Sequence, residues 1–176
     1  MADRDRKKWD IRYAKDLGSA EPSSILTQYW PLASVGKALD IACGNGRNSV
    51  FLAERGFAVD AVDISIVATD QLEGKHPNIN VICVDLDTWE IPLNRYQLIV
   101  NIRFLDRRLF PLIRDGLKFG GVVIFESFLD GETDIYCLKQ EELIRAFESL
   151  NIVYYKEKKI DPAGKFDRIA SLVARK

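Results

Sequence analysis

Apolar and polar positions along this chain fall into short alternating blocks. Five aliphatic, β-branched runs read as strands: Lys37–Ala42, Phe57–Val62, Asn80–Val84, Gln97–Asn101 and Val122–Phe128. Segments with helical spacing separate them at Arg47–Arg55, Ser65–Glu73 and Arg108–Leu117, and another follows at Lys139–Leu150. Gly56 reads as a helix stop, and Phe119-Gly120-Gly121 as a turn before the fifth strand. A charged amphipathic segment, Arg4–Leu17, ends at Gly18, and a short helix is expected over Pro22–Trp30. Two closing strands, Ile152–Lys156 and Arg168–Ala174, flank a loop containing Asp161-Pro162-Ala163-Gly164. A parallel pair needs a crossover of about a dozen residues or more, so these two should be antiparallel. The pattern predicts an α/β fold: a mainly parallel sheet with helices on both faces.

A length of 176 residues suits one domain, with residues 1–31 as an N-terminal helical lid or cap. The formal net charge of −1 and the lack of a dense basic patch argue against nucleic-acid binding. The basic start is followed by no apolar run, so no secretory signal is expected, and no stretch approaches the roughly 20 apolar residues of a membrane span. The three cysteines, Cys43, Cys83 and Cys137, fit neither a zinc site nor a disulfide framework. Their odd number suggests reduced thiols and a cytoplasmic location. The one histidine, His76, precedes Pro77 in an expected surface loop, which argues against a Ser-His-Asp triad and a histidine metal site. No metal is expected, and the chain should be a monomer or a weak homodimer.

Residues 38–49 carry the most chemistry. A strand ends, Gly44 and Gly46 follow, and a helix begins. Glycines let a ligand approach the backbone, and a helix start presents free N–H groups. Doubly wound sheets bind nucleotides at such a turn. Ser49 stands where a dinucleotide fingerprint wants its third glycine, and the Gly-Lys-Ser/Thr of a phosphate loop is absent. This disfavours a nicotinamide oxidoreductase. Asp40 would repel a pyrophosphate but suits a cationic ligand; it could also cap a backbone turn. Asp63 stands where a carboxylate accepts ribose hydroxyls, or where it caps the next helix. Asp85 ends the third strand, where it could accept from an adenine amine or lie solvated.

The runs ALDIACGNGRNSVFLAERGFAVDAVDIS (38–65), YQLIVNIRFLDRRLFPLI (96–113), KFGGVVIFESF (118–128) and RIASLVARK (168–176) resemble the class I S-adenosylmethionine-dependent methyltransferases. They are most similar to the small bacterial tellurite-resistance-type group. The resemblance implies a Rossmann-like, doubly wound sheet of seven strands, mostly parallel, whose last strand in sequence inserts antiparallel beside the fifth. It implies that Ala42, Cys43, Gly44 and Gly46 line the methionine part of S-adenosylmethionine, that Asp63 binds ribose, and that Asp85 and Leu86 flank adenine. Asn101 would lie under the transferring methyl. Asn48 and Ile64 complete the expected cofactor set. Ala42 stands where the motif usually has glycine, and Phe119 where the family usually has proline. NIRF is not the Asn-Pro-Pro-Tyr/Phe motif, which argues against DNA-base amino methylation.

Trp9 and Tyr13, spaced i, i+4, share a helix face that could close over a sulfonium or pack as core. Asn101, Arg103 and Glu126 are the candidates around the reacting atoms. Arg103 could bind an anionic substrate or pair with Asp106 or Glu126. The expected function is methyl transfer to a small-molecule acceptor. The alternatives are action on a protein or RNA through a partner subunit, and a non-catalytic S-adenosylmethionine-binding protein.

Overall fold

The computed structural model describes residues 2–16, 18–129, 136–163 and 166–176. In chain order they form helices α1 (Ala2–Lys15) and α2 (Ser24–Tyr29), a 3-10 turn (Trp30–Leu32), then β1 (Lys37–Ile41), α3 (Arg47–Ala53), β2 (Ala58–Asp63), α4 (Ile66–Leu72) and β3 (Ile79–Cys83). The second half runs β4 (Tyr96–Ile102), α5 (Leu109–Gly116), β5 (Leu117–Phe128), α6 (Glu142–Ala146), β6 (Asn151–Ala163) and β7 (Phe166–Arg175). The strands make one seven-stranded sheet in the order β3-β2-β1-β4-β5-β7-β6. β1 through β5 run parallel to one another, and β7 runs antiparallel between β5 and β6. That is the expected sheet, with the last strand inserted beside the fifth.

The period of two along each strand sorts the core into two layers. Ala38, Val59, Ala61, Leu98, Val100, Val122 and Ile124 bury against α2, α3 and Leu72 of α4. Leu39, Ile41, Ile99, Val123 and Phe125 bury on the opposite face against Ile113 of α5 and Leu143 of α6. By the same parity Asp40 and Glu126 belong to the α3 face, and Asn101 to the α5 face. Because β1 and β4 are neighbours in the sheet but send their helices to opposite faces, a crevice opens at their carboxyl ends.

Several boundaries differ from the sequence reading. β1 stops at Ile41 because Ala42 turns left-handed at φ 52. β5 begins at Leu117, directly after α5, and passes through Phe119-Gly120-Gly121 with Gly120 at φ 78, so these residues are an irregularity within the strand. The expected helix over 139–150 shortens to α6, one turn and a half, with Phe147 buried at its end. β6 and β7 extend each other well beyond the expected ends, carrying Lys156–Lys159 as strand. Leu17 and Gly164 lie outside the described residues.

Candidate active site

The turn after β1 is shaped by its own backbone and by the acid that ends β2. Cys43 N donates to Val62 O at 3.0 Å, tying the turn to β2. Asp63 then reaches back: its Oδ2 accepts from Gly44 N at 2.8 Å, and its Oδ1 accepts from Ser65 N at 2.9 Å. One oxygen thus braces the glycine turn and the other the entry to α4. Burial pushes its carboxyl up from the usual range, and the backbone donors at Ser65 and Gly44 oppose that shift. The carboxylate keeps acceptor capacity for a further donor.

Helix α1 lies across this turn. Arg6, Asp10 and Tyr13 fall on one helical face at spacings of four and three. Arg6 Nε donates to Ile64 O at 3.2 Å. Asp10 Oδ1 accepts from Ser65 Oγ at 2.6 Å and from Val67 N at 3.3 Å, at the start of α4. Tyr13 lies directly over Gly44: a Cβ on that glycine would collide with the Tyr13 hydroxyl and stand 3.1 Å from Cζ. Burial, then the nearby Asp63, pushes the Tyr13 hydroxyl up to about 12, so it stays protonated at neutral pH. Trp9 stacks on Tyr13 with ring centroids 5.9 Å apart. The aromatic pair covers the turn as a lid would; the sequence reading did not include the acid latch, Asp10 to Ser65.

Three members of the expected cofactor set are directed elsewhere. Asp40, 1 % exposed, accepts from Ser49 Oγ at 2.6 Å inside the β1–α3 packing. Strand parity turns it toward α3, where it meets a helix side chain and neither a ligand nor a backbone turn. Burial raises its carboxyl to about 7. Asn48 is also buried, and its Oδ1 accepts from Ser23 N at 3.0 Å, holding the segment before α2. Gly46, at φ 77, is bare because Leu72 fills the space: a Cβ would stand 2.6 Å from Leu72 Cδ2. Its need for glycine is a packing need. Gly44 alone faces the lid.

Cys43 is buried, and burial pushes its thiol well above the usual range, which removes it as a nucleophile. Ala42 and Ile64 are half-buried at the crevice. Asp85 and Leu86 are half-buried past β3, where Asp85 Oδ1 accepts from Asp87 N at 2.9 Å and so shapes a turn.

On the other side of the crevice, Asn101 is 1 % exposed, and its Nδ2 donates to Phe104 O at 2.7 Å. Arg103 pairs with Glu126 through Nη2 and Oε1 at 3.2 Å, one of the two partners the sequence offered. Ser171 Oγ on β7 donates to the other Glu126 oxygen at 2.7 Å. The sequence reading missed Arg47 as well as Ser171. Arg47 opens α3, its Nη1 donates to Glu21 O at 3.1 Å, and its charge acts on Asp40, Tyr13 and Arg103. A cation immediately after Gly46 was the available signal. His76 is in a loop, where its Nδ1 accepts from Asn78 N at 3.1 Å, away from both groups.

Residues 38–121 match the family model described as a methyltransferase domain. Over 111 residues, 60 % of this chain, the sequence is 28 % identical to trans-aconitate 2-methyltransferase of Rhizobium rhizogenes, and the match spans 43 % of that enzyme's length. Among solved structures, TehB of Haemophilus influenzae superposes with a TM-score of 0.74 at 22 % identity, over 96 % of this chain and 67 % of that one. An S-adenosylmethionine-dependent methyltransferase of Mesorhizobium loti gives 0.71 at 16 % identity, over 90 % and 99 % of the two chains. At these identities the structural likeness bears on the fold.

Proposed function

We propose that the chain is a class I S-adenosylmethionine-dependent methyltransferase that methylates a small-molecule acceptor held where β4 and β5 end, with the cofactor seated over the β1–α3 turn; the match of residues 38–121 to a methyltransferase domain supports this reading. The arrangement of Asp63 carries this reading. Its carboxylate is fixed by two backbone N–H groups, beside bare backbone at Gly44, under an aromatic lid. A fixed carboxylate suits a diol, a bare glycine suits close approach, and an aromatic face suits a sulfonium. The residues present fit the cofactor.

When bound, S-adenosylmethionine supplies a methyl group whose carbon–sulfur bond breaks, the electron pair staying on sulfur, as the acceptor's lone pair bonds to carbon. The chain's contribution is orientation. Gly44, Asp63 and the Trp9–Tyr13 pair hold and cover one partner. Asn101, locked onto Phe104 O, fixes the rim at the end of β4, and Arg103 with Glu126 forms the wall beside it. Holding reactants in line supplies roughly 7–11 kcal/mol, more than the 10²–10⁴-fold typical of a positioned base. The acceptor's proton leaves to solvent before transfer, and no histidine is needed. A small acceptor is supported by the short link past β4, where residues 103–108 lead into α5. The relative named for trans-aconitate acts on a small molecule by its name, which points the same way. Cys43 and Cys83 are free thiols, which supports a reducing cytoplasm. Among the described residues no helix is long and apolar enough to cross a membrane.

Calorimetry with S-adenosylmethionine and S-adenosylhomocysteine tests the cofactor seat. Asp63→Ala should weaken binding by about 1.5–3 kcal/mol, the scale of hydrogen bonds to a charged group. Undiminished affinity in a folded variant would remove Asp63 from the site. A methyl-transfer assay across small thiols, amines and acids tests the acceptor class.

A further inference from the structure

We propose that Arg103 recognises the acceptor, and that the acceptor is a small organic carboxylate; this rests on the methyl-transfer reading above. Arg103 stands one residue past β4, two after Asn101 in the chain and at the carboxyl-end crevice. Its backbone is held in the left-handed region at φ 63, with its N–H donating to Glu126 O at 2.7 Å. A non-glycine residue keeps such a conformation only where its surroundings over-determine it, and such sites cluster where ligands are clamped. Its guanidinium is equally constrained. Nη2 meets Glu126 Oε1, and the plane lies 4.5 Å from the Phe128 ring centroid. Ser171 takes the second Glu126 oxygen, so this carboxylate is fixed in place.

The remaining corner has no such provision. Arg103 Nη1 is buried and has no hydrogen-bond partner among the described residues. Buried donors are paired in the great majority of cases, and a cationic donor more stringently than most. Arg175 Nε is the other cationic nitrogen in this condition, but Arg175 pairs with Val122 at the opposite end of the sheet, far from any strand tip of the crevice. Burial, together with the nearby charge of Arg47, weakens Arg103's hold on its proton even though Glu126 counters both. An anion brought to Nη1 relieves that repulsion and satisfies the donor in one contact. A guanidinium fixed by stacking presents a planar edge of N–H groups, which matches a planar carboxylate better than a neutral amide, whose oxygen carries less charge. Glu126, Ser171 and Phe128 are then positioning residues that aim this edge.

The test is calorimetric and does not require knowing the acceptor. Succinate and benzoate are titrated into the full chain, each beside its amide, succinamide and benzamide, with sodium sulfate as the inorganic oxyanion. Every titration is run with and without S-adenosylhomocysteine. At least one acid should bind tenfold or more tightly than its amide. Arg103→Met should weaken that acid at least tenfold and erase the preference, while Arg103→Lys, which keeps the charge and loses the planar edge, should fall between. Affinity for S-adenosylhomocysteine should remain within twofold in both variants. Equal binding of acids and amides by the parent chain would overturn the proposal, even if Arg103→Met fails to fold. So would a preference that survives in Arg103→Met, or sulfate binding as tightly as the better acid. Failure of the parent to bind S-adenosylhomocysteine would instead defeat the methyl-transfer reading, and the acid-against-amide comparison without it would still decide the role of Arg103.

Discussion

Within the strand–turn–helix unit itself, beneath the α1 lid that Asp10 and Arg6 tie down from 55 and 58 residues away, the bonds join residues close in sequence: Ser49 to Asp40, nine apart, and Gly44 to Asp63, nineteen apart. Around the tips of β4 and β5 the corresponding bonds span the chain: Ser171 to Glu126 is 45 apart and Arg107 to Glu142 is 35 apart. The first region is a strand–turn–helix unit whose geometry is nearly local. The second exists only after β7 has entered the sheet beside β5. A local unit can be kept as a motif and reused, whereas a wall assembled from distant segments can vary with each acceptor. This division matches the roles proposed here, with the common cofactor on the local side and the particular acceptor on the assembled side.

The comparison breaks most visibly at Gly46. A valine there must adopt φ 77 and displace Leu72. Backbone strain and overpacking together should cost about 3–5 kcal/mol of stability, read by chemical denaturation. A variant that folds with parental stability but fails to bind cofactor would return Gly46 to the ligand side of the turn.

Asp40 comes next. Its folded-state carboxyl is raised from 3.8 to about 7 by burial. The folded state therefore holds its proton more tightly than the unfolded state. The stability this contributes is fully present below pH 3.8 and is lost as pH rises to about 7. The upward displacement of Asp63 acts in the same sense. Asp40→Asn should remove much of this slope, a change on the order of 2–4 kcal/mol between the two ends of the window. Denaturant midpoints measured across that range in parent and variant check it; parallel profiles would mean that Asp40 ionises freely in the fold.

The lid offers a smaller effect. Asp10→Ala removes the bonds from Ser65 Oγ and Val67 N. It should loosen α1 by about 1–2 kcal/mol while the sheet keeps its stability. Amide exchange across residues 5–16 should quicken in the variant, and cofactor should slow it in the parent. Unchanged exchange would make α1 a fixed part of the core. The smallest effect is expected at His76, where alanine removes one acceptor for Asn78 N. Turnover should be unaltered and stability should change by less than about 0.5 kcal/mol. A histidine-like inflection in the pH–rate profile that vanishes in His76→Ala would refute a mechanism without a base.

By itself the sequence determined the alternation of strands and helices, the antiparallel close, the glycine turn and the acid at the end of β2. Each is encoded in periodicity or in residues adjacent along the chain, and hydrophobic burial at period two or 3.6 leaves few other solutions. It did not determine which way Asp40 faces. That depends on α3 lying against its side of β1, so that Ser49 meets it. Nor did it distinguish the two glycines: Gly44 is bare beneath Tyr13 and Gly46 is bare beside Leu72, and only the packing of α1 and α4 separates those reasons. Arg103, Glu126 and Ser171 lie on three segments that become neighbours only when β4, β5 and β7 stand side by side. Register across a sheet is fixed by the sum of buried contacts and not by any local signal, so this wall became visible only in the folded chain.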